Sequence, residues 1–220
     1  MTGEPRRPDE GERATPRARR LLSRARFLGL LAGGAAVGAL STRVFGLVDG
    51  WRENTVEESR PVFDPGTYRL TVDGLVARPL SLDYEALRAL PAVRQVSDFH
   101  CVEGWMVPDV RWDGVLFQSL AELVGPLPDA RYVTFHSLGG VYRDSLSLTQ
   151  ARLPGVLIAY DLDGAPLSRV RGAPARLVMP RMFGYKGPKW LTRVEFRDRQ
   201  DLGYWQQRGW RVDAWIRSSD

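Results

Sequence analysis

Between residues 68 and 196 the chain is cut every few residues by tight-turn dipeptides, and this spacing restricts its fold more than any other feature. Asp73-Gly74, Gly125-Pro126, Gly139-Gly140 and Asp163-Gly164 each favour a reversal. Glycine supplies positive φ, while Asp and Pro pre-set the turn around it. The intervals between them hold short alternating or apolar runs, which predict strands over 68–72, 93–101, 132–135, 140–145, 156–162, 175–179 and 190–196. Asp73-Gly74 turns the first strand into 75–82. Only two helices are predicted. One covers 83–90, with Ser81 or Asp83 as its cap and Pro91 as its stop; the other covers 116–124. Short strands with few, short helices predict an α+β domain of mixed β-sheets, not a doubly wound sheet. There is no repeat, and no Walker or GxGxxG pattern opens a helix.

The N-terminal part reads differently. Residues 1–26 carry eight arginines against four acidic side chains, so most of the net charge of +5 lies there. This segment has no apolar periodicity and reads as a disordered basic leader. The basic balance therefore gives no argument for nucleic acid. Residues 27–48 form an apolar signal or anchor segment. Its uncharged, small-residue stretch 27–40 follows a basic approach, as in a signal peptide. Ser23-Arg24-Ala25-Arg26-Phe27-Leu28 resembles a twin-arginine signal, with Ala25 splitting the arginine pair. Left uncleaved, 28–47 is about 20 residues and long enough to cross a bilayer. Residues 49–64 read as a polar linker and 65–220 as the globular domain. Export is the expected destination, with membrane contact through 27–48 if the segment is retained.

Cys101 is the only cysteine, so no intrachain disulfide exists. It ends the predicted strand 93–101, and Gly104 turns the chain just after it. A thiolate at a strand end beside a turn is placed to meet a ligand; the other reading is a small buried hydrophobe. No C-x-x-C, HExxH or G-x-S-x-G pattern is present, which leaves zinc and serine-triad chemistry without support. A second candidate set is basic. Arg171-Gly-Ala-Pro-Ala-Arg176 precedes an apolar run and Gly184-Tyr-Lys-Gly-Pro-Lys189-Trp follows it. Guanidinium, ammonium and glycine-opened backbone suit a phosphate, and a solvated loop has the same composition.

HCVEGW at 100–105, VRWDGV at 110–115 and the amphipathic 116–124 together resemble the molybdenum-binding domain of the sulfite oxidase family. The resemblance is nearest to the branch with the periplasmic methionine sulfoxide reductase catalytic subunits. It covers about 63–213, with motifs in the family's order. It implies a molybdenum–molybdopterin cofactor (Mo-MPT) with Cys101 as metal ligand and catalytic residue. It further implies cofactor contacts at Arg171, where relatives usually carry His or Asn, and at Arg176, Gly187, Pro188 and Lys189. Ser137 stands where the sulfoxide reductases have a cofactor-contacting threonine. Asn54 matches the family's pterin-binding asparagine, or lies in a plain loop. Tyr142, in Tyr142-Arg143-Asp144-Ser145, would lie near the metal's exchangeable oxygen or pack on a core face. The tail 203–213 would wrap the core with its aromatics. No haem-binding domain, C-terminal dimerisation domain or iron–sulfur Cys-x-x-Cys is apparent.

The expected activity is an exported molybdopterin-dependent oxidoreductase acting on a small sulfur substrate by two-electron oxygen-atom transfer, with S-oxide reduction favoured. Sulfite oxidation by the same site, or a membrane-tethered binding module without turnover, are the alternatives. Electrons would pass through a membrane haem or quinone-linked partner. An anionic substrate such as sulfite would need at least one of Arg111, Arg143 and Arg181 facing the metal.

Overall fold

The structure, a computed structural model, describes residues 50–216. The leader and the apolar segment expected at 1–48 lie outside the described residues. Among the described residues no helix is long and apolar enough to cross a membrane.

Among the described residues, ten strands form two sheets. The first has the order β2-β1-β10-β5-β6 and uses β1 (Leu70–Gly74), β2 (Leu80–Leu82), β5 (Tyr132–Ser137), β6 (Arg143–Ser147) and β10 (Leu191–Arg197). The β1–β10 pair is parallel and its other pairs are antiparallel. The second sheet runs β3-β4-β7-β8, from β3 (Val93–His100), β4 (Met106–Leu116), β7 (Leu157–Leu162) and β8 (Ala165–Pro166), with β9 (Arg176–Val178) also on β7. Its pairs are antiparallel. The helices are short: α1 (Tyr84–Ala89), α2 (Phe117–Val124) and α3 (Leu148–Ala151). This is the expected α+β arrangement of mixed sheets with few, short helices.

Local chemistry explains most boundaries. Asp83 caps α1 by accepting from the Ala86 amide at 2.8 Å. In α2, Phe117, Leu120, Ala121 and Val124 are buried, the i, i+3, i+4, i+7 stripe of a helix packed on one side. Gly125 closes α2 with φ +64°. Phe117 meets Phe135 and Phe196 at 5.8 and 5.9 Å between ring centroids, tying α2 to β5 and β10. Full burial of a ring of this size contributes about 2–3 kcal/mol. A second, smaller core is built around Trp112, Leu157 and Val178 under the β3–β4 sheet.

Four expectations shift. The longest strand, β4, is not predicted, because Pro108, Asp109 and Asp113-Gly114 resemble breaks. They are irregularities inside the strand. Asp109 takes φ +52°, and the register on β7 shifts between Asp113 and Gly114. Gly114 is there because the backbone of β7 passes so close that a Cβ would lie 2.2 Å from the Ile158 carbonyl oxygen. The strand expected at 140–145 begins at Arg143, since Gly139 and Gly140 both spend their positive φ on the turn. Within 75–82 only Leu80–Leu82 is strand. Ser147 and Gln150 form a capping box that starts the short, unpredicted α3.

Candidate functional site

Cys101 stands where β3 ends. Its amide donates to the Trp105 carbonyl at 2.9 Å, and the Gly104 amide donates back to the Cys101 carbonyl at 3.1 Å. Gly104 sits at φ +88°, a turn that glycine adopts without strain. The thiol is thereby presented to a cavity of about 300 Å³. Asn54 places its amide nitrogen 3.7 Å from the sulfur and donates to Glu103 at 3.0 Å. The Trp105 indole donates to the same carboxylate at 3.1 Å. These bonds hold Glu103 below the usual carboxylate range. Burial pushes the Cys101 thiol up, so a bound cation would be needed to favour the thiolate.

One wall of the cavity is cationic. Arg171, Arg176 and Lys189 all line it, and each guanidinium or ammonium lies on an aromatic face. Arg171 covers Trp51 at 4.8 Å, Arg176 covers Phe99 and Trp112 at 5.3 Å each, and Lys189 covers Trp190 at 4.5 Å. Arg176 is only 4% exposed. Its Nε has no hydrogen-bond partner, while its Nη1 donates to the Arg171 carbonyl. Burial and Arg171 push the guanidinium down to about 10. Burial and Arg176 likewise push the Lys189 ammonium down to about 8. Cations gathered in this way are suited to an anion. Backbone approach is equally deliberate. A Cβ at Gly187 would lie 2.6 Å from the Leu177 carbonyl oxygen, and one at Gly184 would lie 2.2 Å from the Phe99 ring.

The opposite character appears in a chain of rings contributed by the approach to β6, the 184–186 turn and the C-terminal segment. Tyr142 stacks on Tyr204 at 5.9 Å, Tyr204 meets Trp205 at 5.2 Å, Trp205 meets Trp210 at 5.2 Å and Trp210 meets Tyr185 at 5.4 Å. The Tyr142 hydroxyl closes the chain by donating to the Tyr185 carbonyl at 2.5 Å, and burial pushes its pKa well up. Tyr142, Tyr185, Trp205 and Trp210 face the cavity.

The cavity therefore gathers Asn54, Cys101, Ser137, Tyr142, Arg171, Arg176, Gly187 and Lys189, drawn from loops far apart in sequence. Ser137 is 3% exposed and its hydroxyl oxygen lacks a partner. Pro188 does not line the cavity; it is buried, and its carbonyl accepts from the Leu177 amide at 3.0 Å. Arg111, Arg143 and Arg181 are not lining residues either. Arg111 approaches Asp163 and Arg181 stacks on Trp215. Glu103, Trp105, Trp51, Glu57, Tyr185, Trp205 and Trp210 are lining residues that sequence reasoning did not single out. Glu103 and Trp105 stand in the HCVEGW stretch, Tyr185 in the 184–190 stretch, and Trp205 and Trp210 in the aromatic tail; Trp51 and Glu57 carry no local signal.

Lys186 belongs to the basic stretch but is not a surface cation. It is 1% exposed, donates to Asp144 at 2.5 Å and to the Ser145 carbonyl at 2.7 Å. Gln206 donates to the other Asp144 oxygen at 3.0 Å. This buried group fastens the 184–186 turn to β6 and to the C-terminal segment.

The family model described as "Oxidoreductase molybdopterin binding domain" matches residues 57–205. The "Uncharacterized oxidoreductase YuiH" of Bacillus subtilis is 34% identical over 154 residues, covering 69% of this chain and 77% of that protein. The "Protein-methionine-sulfoxide reductase catalytic subunit MsrP" of Gluconobacter oxydans is 32% identical over 162 residues, covering 66% of this chain and 52% of that protein. The chain thus spans about half the length of that reductase. Among solved structures, the sulfane dehydrogenase SoxCD of Paracoccus pantotrophus superposes with a TM-score of 0.62 at 21% identity, over 67% of this chain and 42% of that one, a likeness of fold.

Proposed function

The chain belongs to the oxidoreductase molybdopterin-binding domain family, and from that premise we propose that it reduces small organic S-oxides by two-electron oxygen-atom transfer at a molybdenum–molybdopterin centre. The residues fit that cofactor. A pterin that ends in a phosphate matches Arg176 and Lys189, each pushed down by burial and by a neighbouring arginine. The unpartnered Arg176 Nε and Ser137 Oγ are a donor and a hydroxyl awaiting a polar ligand. Arg171, Arg176 and Lys189 would hold the phosphate, with Gly187 letting the backbone come close. Asn54 and Ser137 would contact the pterin, while Pro188 shapes the turn. Cys101 would ligate the metal as a soft thiolate.

When bound, this group would supply the two-electron couple for the reaction. The protein's own part is positional. Glu103 and Asn54 fix the approach to Cys101, and the aromatic chain excludes water and orients the substrate. Tyr142 lines the cavity, and because its hydroxyl donates to the Tyr185 carbonyl its oxygen could act there only as an acceptor.

The observation that carries the S-oxide reading is the charge layout. The cationic wall is the one that suits the phosphate, whereas Tyr142, Tyr185, Trp205 and Trp210 present ring faces suited to a neutral methyl thioether or its oxide. Arg111, Arg143 and Arg181, the arginines from which a sulfite site was expected, are elsewhere. The sulfoxide reductase name of the Gluconobacter relative supports the same direction. Its designation as a catalytic subunit supports an electron-transfer partner, for which we propose a membrane haem or quinone-linked protein. Export directed by the leader completes the reading. Metal analysis of protein from a molybdenum-replete host, followed by assay with a reduced dye, tests it. About one molybdenum per chain and consumption of methionine sulfoxide are expected. Metal-loaded protein that oxidises sulfite and leaves S-oxides untouched refutes it.

A further inference from the structure

Removing oxygen from an S-oxide consumes protons as well as electrons, and one lining residue is built to deliver them. Glu57 faces the cavity that holds Cys101 and Tyr142. Its Oε1 is buried and has no hydrogen-bond partner, the only carboxyl oxygen so placed among the described residues. Its Oε2 lies against the β5–β6 hairpin, where a Cβ at Gly139 would come within 3.2 Å of it. The Tyr142 backbone amide is the one hydrogen-bond donor acting on the carboxyl. Ionisation of a carboxyl with one oxygen buried and unpartnered is disfavoured relative to the neutral acid. The neutral acid carries an O–H that needs an acceptor.

We infer that Glu57 is a catalytic proton donor to the oxygen atom that leaves the substrate. This rests on the S-oxide reading above. In the overall change a sulfoxide, two protons and two electrons become a thioether and water. The sulfur–oxygen bond breaks and sulfur is reduced. The electrons come from the reduced metal–pterin cofactor. One proton passes from Glu57 to the departing oxygen and the second comes from solvent, which afterwards reprotonates Glu57. Burial raises the Glu57 carboxyl, which extends the acid form above the ordinary carboxylate range. Its surroundings do not reverse this. The Tyr142 amide lowers it by less than burial raises it. The charged side chains sharing the lining, Arg52, Glu53, Glu103, Arg171, Arg176 and Lys189, are not among the groups that shift it.

The test uses the cofactor-loaded full chain and its Glu57→Gln and Glu57→Asp variants. Infrared difference spectra of wild type minus Glu57→Gln should show a protonated carboxylic-acid carbonyl band that persists above the pH at which an ordinary glutamate ionises, a readout independent of turnover. Glu57→Gln should lower kcat by roughly 10²–10³-fold with unchanged molybdenum and pterin content and little change in KM. The wild-type loss of kcat as pH rises through the Glu57 titration should vanish, and Glu57→Asp should restore part of both rate and profile. Absence of the band overturns the inference. So does a Glu57→Gln variant with near-wild-type kcat and the same alkaline limb, or one that loses its pterin, which would make Glu57 a cofactor anchor. Failure of the underlying S-oxide reading shows itself separately, in wild-type protein that holds molybdenum and the carboxylic-acid band yet reduces no S-oxide; the donor role then falls with it.

Discussion

Replacing Lys186 with methionine should be among the most destabilising single changes available in this chain, although Lys186 lies in a stretch that reads as a solvated basic loop. Both Lys186 and Asp144 are about 1% exposed at their side chains and 2.5 Å apart. Methionine fills much of the same volume, so the loss is electrostatic. Asp144 would keep the Gln206 amide and the Ser145 backbone N–H but would be left as a buried charge without its cation. Breaking such a pair from one side costs about 3–5 kcal/mol. For a chain of this size, about 4 kcal/mol corresponds to a fall of roughly 8–16 °C in Tm. Asp144→Asn should cost a similar amount, because it strands the ammonium. The double variant should cost about 2–3 kcal/mol less than the sum of the singles, the coupling expected of one shared contact. Equilibrium urea unfolding of the cofactor-free chain measures all three. A Lys186→Met loss below about 1 kcal/mol, or additivity within about 0.5 kcal/mol, would refute the reasoning. Because the pair fastens the turn that carries Gly187 and Lys189, the same variant should also load less pterin.

Three further outcomes are expected. Cys101→Ser should keep the fold, since the side chains are nearly isosteric, but should lose most turnover and alter the molybdenum spectrum; an unchanged signal with full activity would remove the ligand assignment. Lys189 gives a pH signature in cofactor-free protein. Its ammonium titrates near 8 when folded against an ordinary 10.5, so the unfolded chain binds more protons across that window. Stability should therefore rise between those values by about 1–3 kcal/mol, and thermal midpoints taken with and without inorganic phosphate should show the anion flattening the rise. Gly114→Ala should cost more than about 2 kcal/mol, the range for overpacking, since β4 and β7 would have to separate around the new methyl; denaturant midpoints check this.

Much of the framework is written locally. Asp73-Gly74, the Asp83 cap and the Gly125 closure act within a few residues of themselves, so their outcome is fixed before the chain is packed. Strand β4 is not of that kind. Its Pro108, Asp109 and Gly114 are breakers by composition, and only the neighbouring strands make them bulges and a close approach. The site divides in the same way. Cys101, Arg176 and Lys189 stand in recognisable motifs. Lys186 and Lys189 are indistinguishable as lysines in one loop, yet one is sealed against Asp144 and the other faces the cavity. The Tyr142–Tyr204–Trp205–Trp210–Tyr185 chain joins three segments that no periodicity connects, and Glu57 carries no signal beyond being an acidic residue in an irregular stretch.

The Lys189 ammonium also donates to the Asn54 carbonyl at 2.7 Å, while Arg169 bonds the carbonyls of Arg60 and Pro61. Residues 51–57 all line the cavity, so this irregular stretch is a clasp, latched by a side chain of the anion site it covers. An ammonium has three protons, so Lys189 can hold Asn54 and still serve a phosphate. A ligand seated beneath the clasp then strengthens the latch that retains it. A protease that nicks residues 51–64 should therefore release the ligand from a domain whose two sheets are still intact.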